Sequence, residues 1–99
     1  MKSPKPTIYN LVLTAKNTEY SQALVGSGGY IQKLTVLCRT AADMKLSYTS
    51  GESGTKYITI KSGTVYTERD LIGDITLYLQ SPTAGVVAEI VVAEIVVWS

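Results

Sequence analysis

The sequence contains no histidine and no phenylalanine, and Cys38 is its single cysteine. Without histidine the chain lacks the commonest general base and the commonest metal ligand, so triads of the Ser-His-Asp or Cys-His type are excluded. One cysteine cannot form an internal disulfide. The fold must therefore be stabilised by burial, hydrogen bonding or association, which fits a reducing compartment of origin.

Neither basic nor acidic residues are in clear excess, because the nine basic and eight acidic residues give a formal net charge of +1. Such a balance provides no long-range field toward a phosphate backbone or an anionic lipid surface. The most apolar segment, 86–98, contains Glu89 and Glu94 and is shorter than the about 20 residues that span a bilayer. We expect no nucleic-acid partner, no membrane partner and no cofactor.

What the sequence does have is valine, isoleucine, threonine and seven tyrosines, which favour strands over helices. Short runs of these residues are separated by Gly, Ser, Asn and Asp, and they predict eight strands at 8–13, 20–24, 30–39, 44–48, 57–61, 65–68, 74–80 and within 86–98. The predicted fold is all-β, either an antiparallel β-sandwich or a jelly-roll-like barrel of about eight short strands. Residues 8–99 form its single domain, and residues 1–7, with two prolines, form an extended N-terminal arm.

Two features of this pattern predict details of the architecture. The polar turn Lys16-Asn17-Thr18 favours a hairpin between the first two strands. The strand at 30–39 places Leu34, Val36 and Cys38 on one side and is expected at the centre of a sheet.

The last strand contains a tandem pentapeptide, Ala-Glu-Ile-Val-Val at 88–92 and again at 93–97. Because a strand repeats every two residues, equivalent positions of the two copies point to opposite faces. The change of face can be absorbed by a bulge between the copies, by a strand that leaves one sheet and continues beside another, or by an overhang that pairs with a neighbouring chain. We expect the bulge or the overhang, in preference to a helix across 86–98.

Few residues could support chemistry, and each has a plainer structural interpretation. Cys38 lies on an apolar strand face, where cysteine is most often a small core residue. Glu68, Asp70 and Asp74 are the densest acidic group, yet they flank a predicted turn and offer too few ligands for calcium. The glycine-rich segment 26–29 lacks the lysine and helix of a phosphate loop. We therefore expect no catalytic residue, no metal site and no enzyme activity.

Three stretches resemble a family of small structural proteins of tailed-bacteriophage virions: YNLVLTAKNTEYSQAL at 9–24, YITIKSGTVYTERDL at 57–71 and TLYLQSPTAGVVAEIVV at 76–92. Together with the terminal VVWS they cover most of the chain, and none is a catalytic motif. The resemblance implies a virion component, assembled in the host cytoplasm, that binds the major capsid protein or other virion proteins. The doubled pentapeptide departs from the family pattern, which has a single copy.

The predicted function is a capsid decoration or accessory protein, a homo-oligomer that stabilises the phage head by binding alone. The alternative is a connector of the tail, neck or fibre that contacts host glycans through its tyrosine-bearing loops. Chain ends offer unpaired backbone groups, and tryptophan is enriched at binding hot spots, so Trp98 is the first candidate anchor. The interface hypothesis names Lys2, Pro4, Lys5, Pro6, Val92, Glu94, Ile95, Val97 and Trp98.

Overall fold

A computed structural model of the chain describes residues 6–24 and 30–94. These described residues form eight strands, which confirms the predicted all-β fold and its strand number. The strands are β1 (Thr7–Leu13), β2 (Tyr20–Leu24), β3 (Tyr30–Cys38), β4 (Met44–Ser47), β5 (Ile58–Ile60), β6 (Val65–Ile72), β7 (Ile75–Gln80) and β8 (Val86–Glu94). Within the described residues, no helix is long and apolar enough to cross a membrane.

The strands form two four-stranded sheets that make a β-sandwich. The first sheet has the order β1-β8-β3-β6 and the second has the order β2-β7-β4-β5, with every neighbouring pair antiparallel. The pairing follows the pattern of one long hairpin, in which β1 pairs with β8, β2 with β7, β3 with β6, and β4 with β5 at the tip. Wrapping that hairpin into two sheets gives the jelly-roll arrangement. β3 lies between β8 and β6, which confirms its predicted central position.

The core lies between the sheets and follows from the alternation of apolar side chains. On β7, Leu77 and Leu79 are fully buried and Thr76, Tyr78 and Gln80 alternate with them. The largest fully buried side chains are Leu13, Ile31, Leu34, Met44, Leu46, Ile60, Leu77, Leu79, Ile90, Val36, Val86 and Val92. Among the described residues, every buried side-chain nitrogen and oxygen atom has a hydrogen-bond partner.

The predicted hairpin between β1 and β2 is wrong. β1 pairs with β8, from Thr7 opposite Val92 to Leu13 opposite Val86, whereas β2 pairs with β7 in the other sheet. The turn itself exists, because Asn17 has a positive φ of 54° and its backbone N–H donates to the carbonyl of Ser81. A polar turn reverses the chain without specifying which strand the next one pairs with, so the chain crosses between the sheets here.

β6 is longer than the sequence predicted, since it continues through Ile72 instead of ending at Glu68. Glu68 and Asp70 therefore lie within a strand and do not flank a turn. β6 is an edge strand with mostly exposed side chains, so it lacks the apolar alternation that reveals a strand in sequence.

β8 is a regular strand over Val86–Glu94, so the helix is ruled out for that part of the repeat. Ala88 is fully buried and Ala93 is half-buried on the opposite face, which confirms that the two copies point in opposite directions. A register shift is present, but it lies on β3 between Ile31 and Lys33 and not between the copies on β8. Residues 95–97 of the second copy lie outside the described residues.

Two other predicted segments fall largely outside the described part of the chain. Residues 1–5 of the predicted arm are not described, whereas Pro6 is exposed and Thr7 begins β1. The glycine-rich segment 26–29 is not described either. The arm therefore stays a prediction, and it is one residue shorter than predicted because Thr7 belongs to β1.

Candidate functional site

The solvent side of the first sheet, called the outer face below, carries branched apolar side chains. Six of them form three cross-strand pairs: Ile8–Val91, Val12–Val87 and Leu37–Val65. Ile8, Val12 and Val65 are 65, 49 and 57% exposed. One exposed valine on a strand needs no explanation, but three pairs on one face make a patch of the kind that protein partners cover.

A polar network lies among these pairs and crosses three strands. The Nε atom of Arg39 is 2.6 Å from Oε2 of Glu89, and its Nη2 atom donates to Oδ1 of Asn10 at 2.9 Å. Asn10 is on β1, Glu89 is on β8, and Arg39 follows β3 directly. The charges in the middle of the outer face are therefore paired within the chain, and a partner does not have to neutralise them.

Among the described strands, none pairs with the outer side of β1, which forms one edge of the first sheet. Thr7–Leu13 contains no charge, proline or glycine, and its register with β8 is continuous over seven pairs. The opposite edge, β6, carries Glu68, Arg69 and Asp70, and Asp70 has a positive φ of 57°. Charges and backbone irregularities block the addition of strands to an edge, so β1 is the better acceptor of a further strand.

A second surface feature is an open depression of about 460 Å³ beside β4 and β5. Its lining combines apolar, aromatic and polar side chains: Leu46, Ser47, Tyr48, Thr49, Glu52, Lys56, Tyr57 and Ile58. Thr49 Oγ1, the Glu52 carboxylate and the Lys56 ammonium group make no hydrogen bond or ion pair with the described residues. These three groups are free to bind a ligand.

The loop that forms the polar side of this depression is held by Glu19, which precedes β2. The Glu19 carboxylate accepts hydrogen bonds from Ser53 Oγ at 2.6 Å, from Gly51 N at 2.8 Å and from Ser53 N at 3.1 Å. Gln80 Nε2 donates to Ser53 Oγ from the end of β7. The Ser53 hydroxyl, followed by the two backbone N–H groups, holds the pKa of Glu19 below its ordinary value. The loop is thus tied to two other parts of the sandwich.

Tyr57 is the exposed aromatic side chain of the depression, with 41% of its surface accessible. The ammonium nitrogen of Lys45 lies 4.7 Å from the centre of its ring, which is cation–π distance. Lys45 does not line the depression. One ring face is therefore occupied, and a ligand can stack only on the other face.

Tyr48, another lining residue, belongs to a hydrogen-bonded chain between the sheets. Its hydroxyl is 2.9 Å from that of Tyr66 on β6, and the Tyr66 hydroxyl donates to Oε2 of Glu68 at 3.1 Å. Because the Tyr66 proton is used toward Glu68, Tyr48 is the donor to Tyr66. Burial raises the pKa of both tyrosines, so both remain neutral and act as structural hydrogen-bonding groups near pH 7.

The residues that the sequence singled out for chemistry do not come together. Cys38 packs against the core with its sulfur 3.7 Å from Thr40 Oγ1. Glu68 accepts the Tyr66 hydrogen bond on β6, Asp70 occupies the irregular position of the same strand, and Asp74 follows it in the turn to β7. No group of three or more Cys, Asp or Glu side chains that could hold a metal occurs among the described residues.

The predicted interface residues fall mostly at the chain ends, and Lys2, Pro4, Lys5, Ile95, Val97 and Trp98 lie outside the described residues. Pro6 is exposed beside β1, and the backbone of Glu94 pairs with Ile31. Val92 is fully buried, opposite Thr7 and Leu34. Its side chain belongs to the core, so an interface role at Val92 cannot rest on an exposed side chain. For the other residues the role stays a prediction.

Sequence reasoning missed the outer face and the depression, because both are assembled from segments distant in the chain. A signal for the outer face was available in β1, where Ile8 and Val12 alternate with the more buried Tyr9, Leu11 and Leu13. A signal for the depression was available in the loop between β4 and β5, which combines Glu52, Lys56 and Tyr57, residue types that often bind ligands. Compared with protein-family models, with curated proteins and with solved structures, the chain matches none of them.

Proposed function

We propose that this protein is a non-catalytic structural component of a bacteriophage virion, a capsid decoration protein that binds the shell through the outer face and the β1 edge. The observation that carries the proposal is the difference between the two edges of the first sheet. β6 is charged and irregular, whereas β1 is uncharged and regular and carries the exposed side chains of Ile8 and Val12.

The chemistry of this surface suits a protein partner. An incoming strand would pair with the backbone groups of β1 and would bury the branched side chains beside it, a recurring mode of protein recognition. Because Arg39, Glu89 and Asn10 are already paired with one another, burial of the middle of the outer face leaves none of these three groups without a partner. The same properties would serve contact with a second copy of the chain, in line with a homo-oligomer.

The virion assignment is supported by the resemblance of three sequence stretches and by the fold. Jelly rolls occur in viral capsid proteins, but also in lectins and cupins, so the fold alone does not determine the function. The alternative role, a connector in the tail or neck, uses the same surfaces and differs in location.

Copy number distinguishes these roles. Quantitative mass spectrometry of purified particles from the phage that encodes this chain should find hundreds of copies for a decoration protein, and about a dozen for a connector at the portal or tail. Complete absence from purified particles would overturn the proposal in both forms.

A further inference from the structure

We propose that the depression beside β4 and β5 is a binding site for a neutral saccharide, with Tyr57 as the surface on which the sugar ring stacks. This inference rests on the depression alone and does not depend on the virion assignment. It gives a location to the glycan contact that the tyrosine-rich composition suggested.

The shape and the apolar part of the depression suit a pyranose ring. Its volume, about 460 Å³, accommodates one or two sugar units. Leu46 lies beneath the depression with no accessible surface, so the apolar contact falls to Ile58, which is 42% exposed, and to Tyr57, which is 41% exposed. A pyranose ring has an apolar face of C–H groups, and this face packs against an aromatic ring and an aliphatic side chain.

The polar part of the depression suits hydroxyl groups. The Glu52 carboxylate accepts hydrogen bonds only, the Lys56 ammonium group donates only, and the Thr49 hydroxyl does both. A saccharide hydroxyl is itself both donor and acceptor, so adjacent hydroxyls satisfy a carboxylate and an ammonium group at once. None of the three groups has a competing partner among the described residues.

The charges of the depression argue against other small ligands. Glu52 and Lys56 give the depression one charge of each sign, and a cationic ligand would meet the like charge of Lys56. A phosphate or another anion would meet the Glu52 carboxylate with only one lysine to offset it. A neutral ligand with many hydroxyls avoids both repulsions.

The loop is preorganised for binding. Glu19 holds Gly51 and Ser53, and within the loop Glu52 N donates to Thr49 O while Lys56 N donates to Glu52 O. A Cβ atom at Gly54 would lie 3.0 Å from Gln80 Nε2, so the loop also packs closely on the end of β7. A loop fixed before binding loses little further entropy when a ligand arrives.

The test is a titration of the ¹⁵N-labelled full chain with glucose, galactose, mannose and N-acetylglucosamine at millimolar concentrations, followed by amide chemical shifts. At least one sugar should shift amides within 46–58. Tyr57→Ala should weaken that sugar's binding by at least about tenfold, since one stacked ring contributes on this scale. Tyr57→Phe should retain binding, because stacking does not need the hydroxyl.

The controls separate loss of the site from loss of the fold. Thr67→Ala, on exposed β6, should leave binding unchanged. Glu52→Gln should weaken binding while the thermal unfolding temperature stays that of the wild type. The inference is overturned if none of the four sugars shifts these amides, if Tyr57→Ala binds as tightly as the wild type, or if a protein partner buries 46–58 instead.

Discussion

The hydroxyl oxygens of Tyr48 and Tyr66 lie 2.9 Å apart and join the end of β4 in the second sheet to edge strand β6 of the first. Tyr66→Phe would leave the half-buried Tyr48 hydroxyl without its acceptor, so we expect a loss of about 1 to 2 kcal/mol in the free energy of unfolding. Tyr48→Phe should cost less, because Tyr66 still donates to Glu68.

Urea unfolding of the two single variants and the double variant measures this coupling. The double variant should lose less stability than the sum of the single losses. Tyr57→Phe is the matched control, since its hydroxyl has no partner among the described residues, and it should be neutral. Strict additivity of the two losses would contradict the proposed bond.

The Glu19 carboxylate makes the stability of the fold depend on pH. Its folded pKa is lowered from an ordinary value of 4.5, chiefly by the Ser53 hydroxyl. The unfolded state therefore binds more protons than the folded state in acid, and the stabilising contribution is complete above pH 4.5 and is lost as the pH falls toward the lowered pKa. Glu19→Gln should flatten the decline of stability below that pH.

Thermal unfolding at a series of pH values from neutral to acid provides the measurement. Ser53→Ala should reproduce most of the flattening, because it removes the largest cause of the lowered pKa. If both variants keep the acid sensitivity of the wild type, the Glu19 interaction does not control it.

Asn17 adopts a left-handed backbone conformation with φ of 54° between β1 and β2. A β-branched residue is strained there, so Asn17→Val should lower the free energy of unfolding by about 1 to 2 kcal/mol, whereas Asn17→Gly should be nearly neutral. Lys16→Val, in the same turn and also exposed, is the control and should shift stability by less than about 0.5 kcal/mol. Equal effects of valine at 16 and at 17 would contradict the backbone explanation.

Strands and core positions could be predicted because a half-buried strand shows alternating apolar and polar residues within its own sequence. Leu77 and Leu79 on β7, or Leu34 and Val36 on β3, alternate with polar residues whatever strand lies beside them. The identity of the strand that pairs with such a strand produces no such local pattern. β1 pairs with β8 from the far end of the chain, and the turn at Asn17 has the same composition as a hairpin turn.

Exposure also limited the prediction of the candidate surfaces. β6 is an edge strand, so side chains on its core-facing side and on its solvent-facing side are both largely exposed. Residues 69–72 therefore show no alternation of apolar and polar residues. The depression needs Leu46 on β4, Tyr57 before β5 and a loop held by Glu19, and only the three-dimensional fold brings these together. What the sequence did supply was the residue types, among them tyrosine, lysine and glutamate close together in 52–57.

The outer face gives a paired prediction for association. Ile8 on β1 and Ile72 on β6 are 65 and 80% exposed at opposite edges of the first sheet. Replacing either with lysine should change the free energy of unfolding by less than about 0.5 kcal/mol, because neither side chain is in the core. Ile8→Lys should abolish incorporation into particles and Ile72→Lys should not. Equal incorporation of the two variants, measured by mass spectrometry of purified particles, would contradict a role for β1.

Hydrogen-exchange mass spectrometry of the free chain and of the chain in the virions proposed to contain it tests most directly whether β1 is the binding edge. Outward-facing amides of an edge strand exchange readily when unpaired and slowly once another strand bonds to them. We expect peptides covering Thr7–Leu13 to become strongly protected in the particle while those covering Val65–Ile72 change little. Unchanged exchange in β1 on binding, or protection confined to β6, would contradict the account.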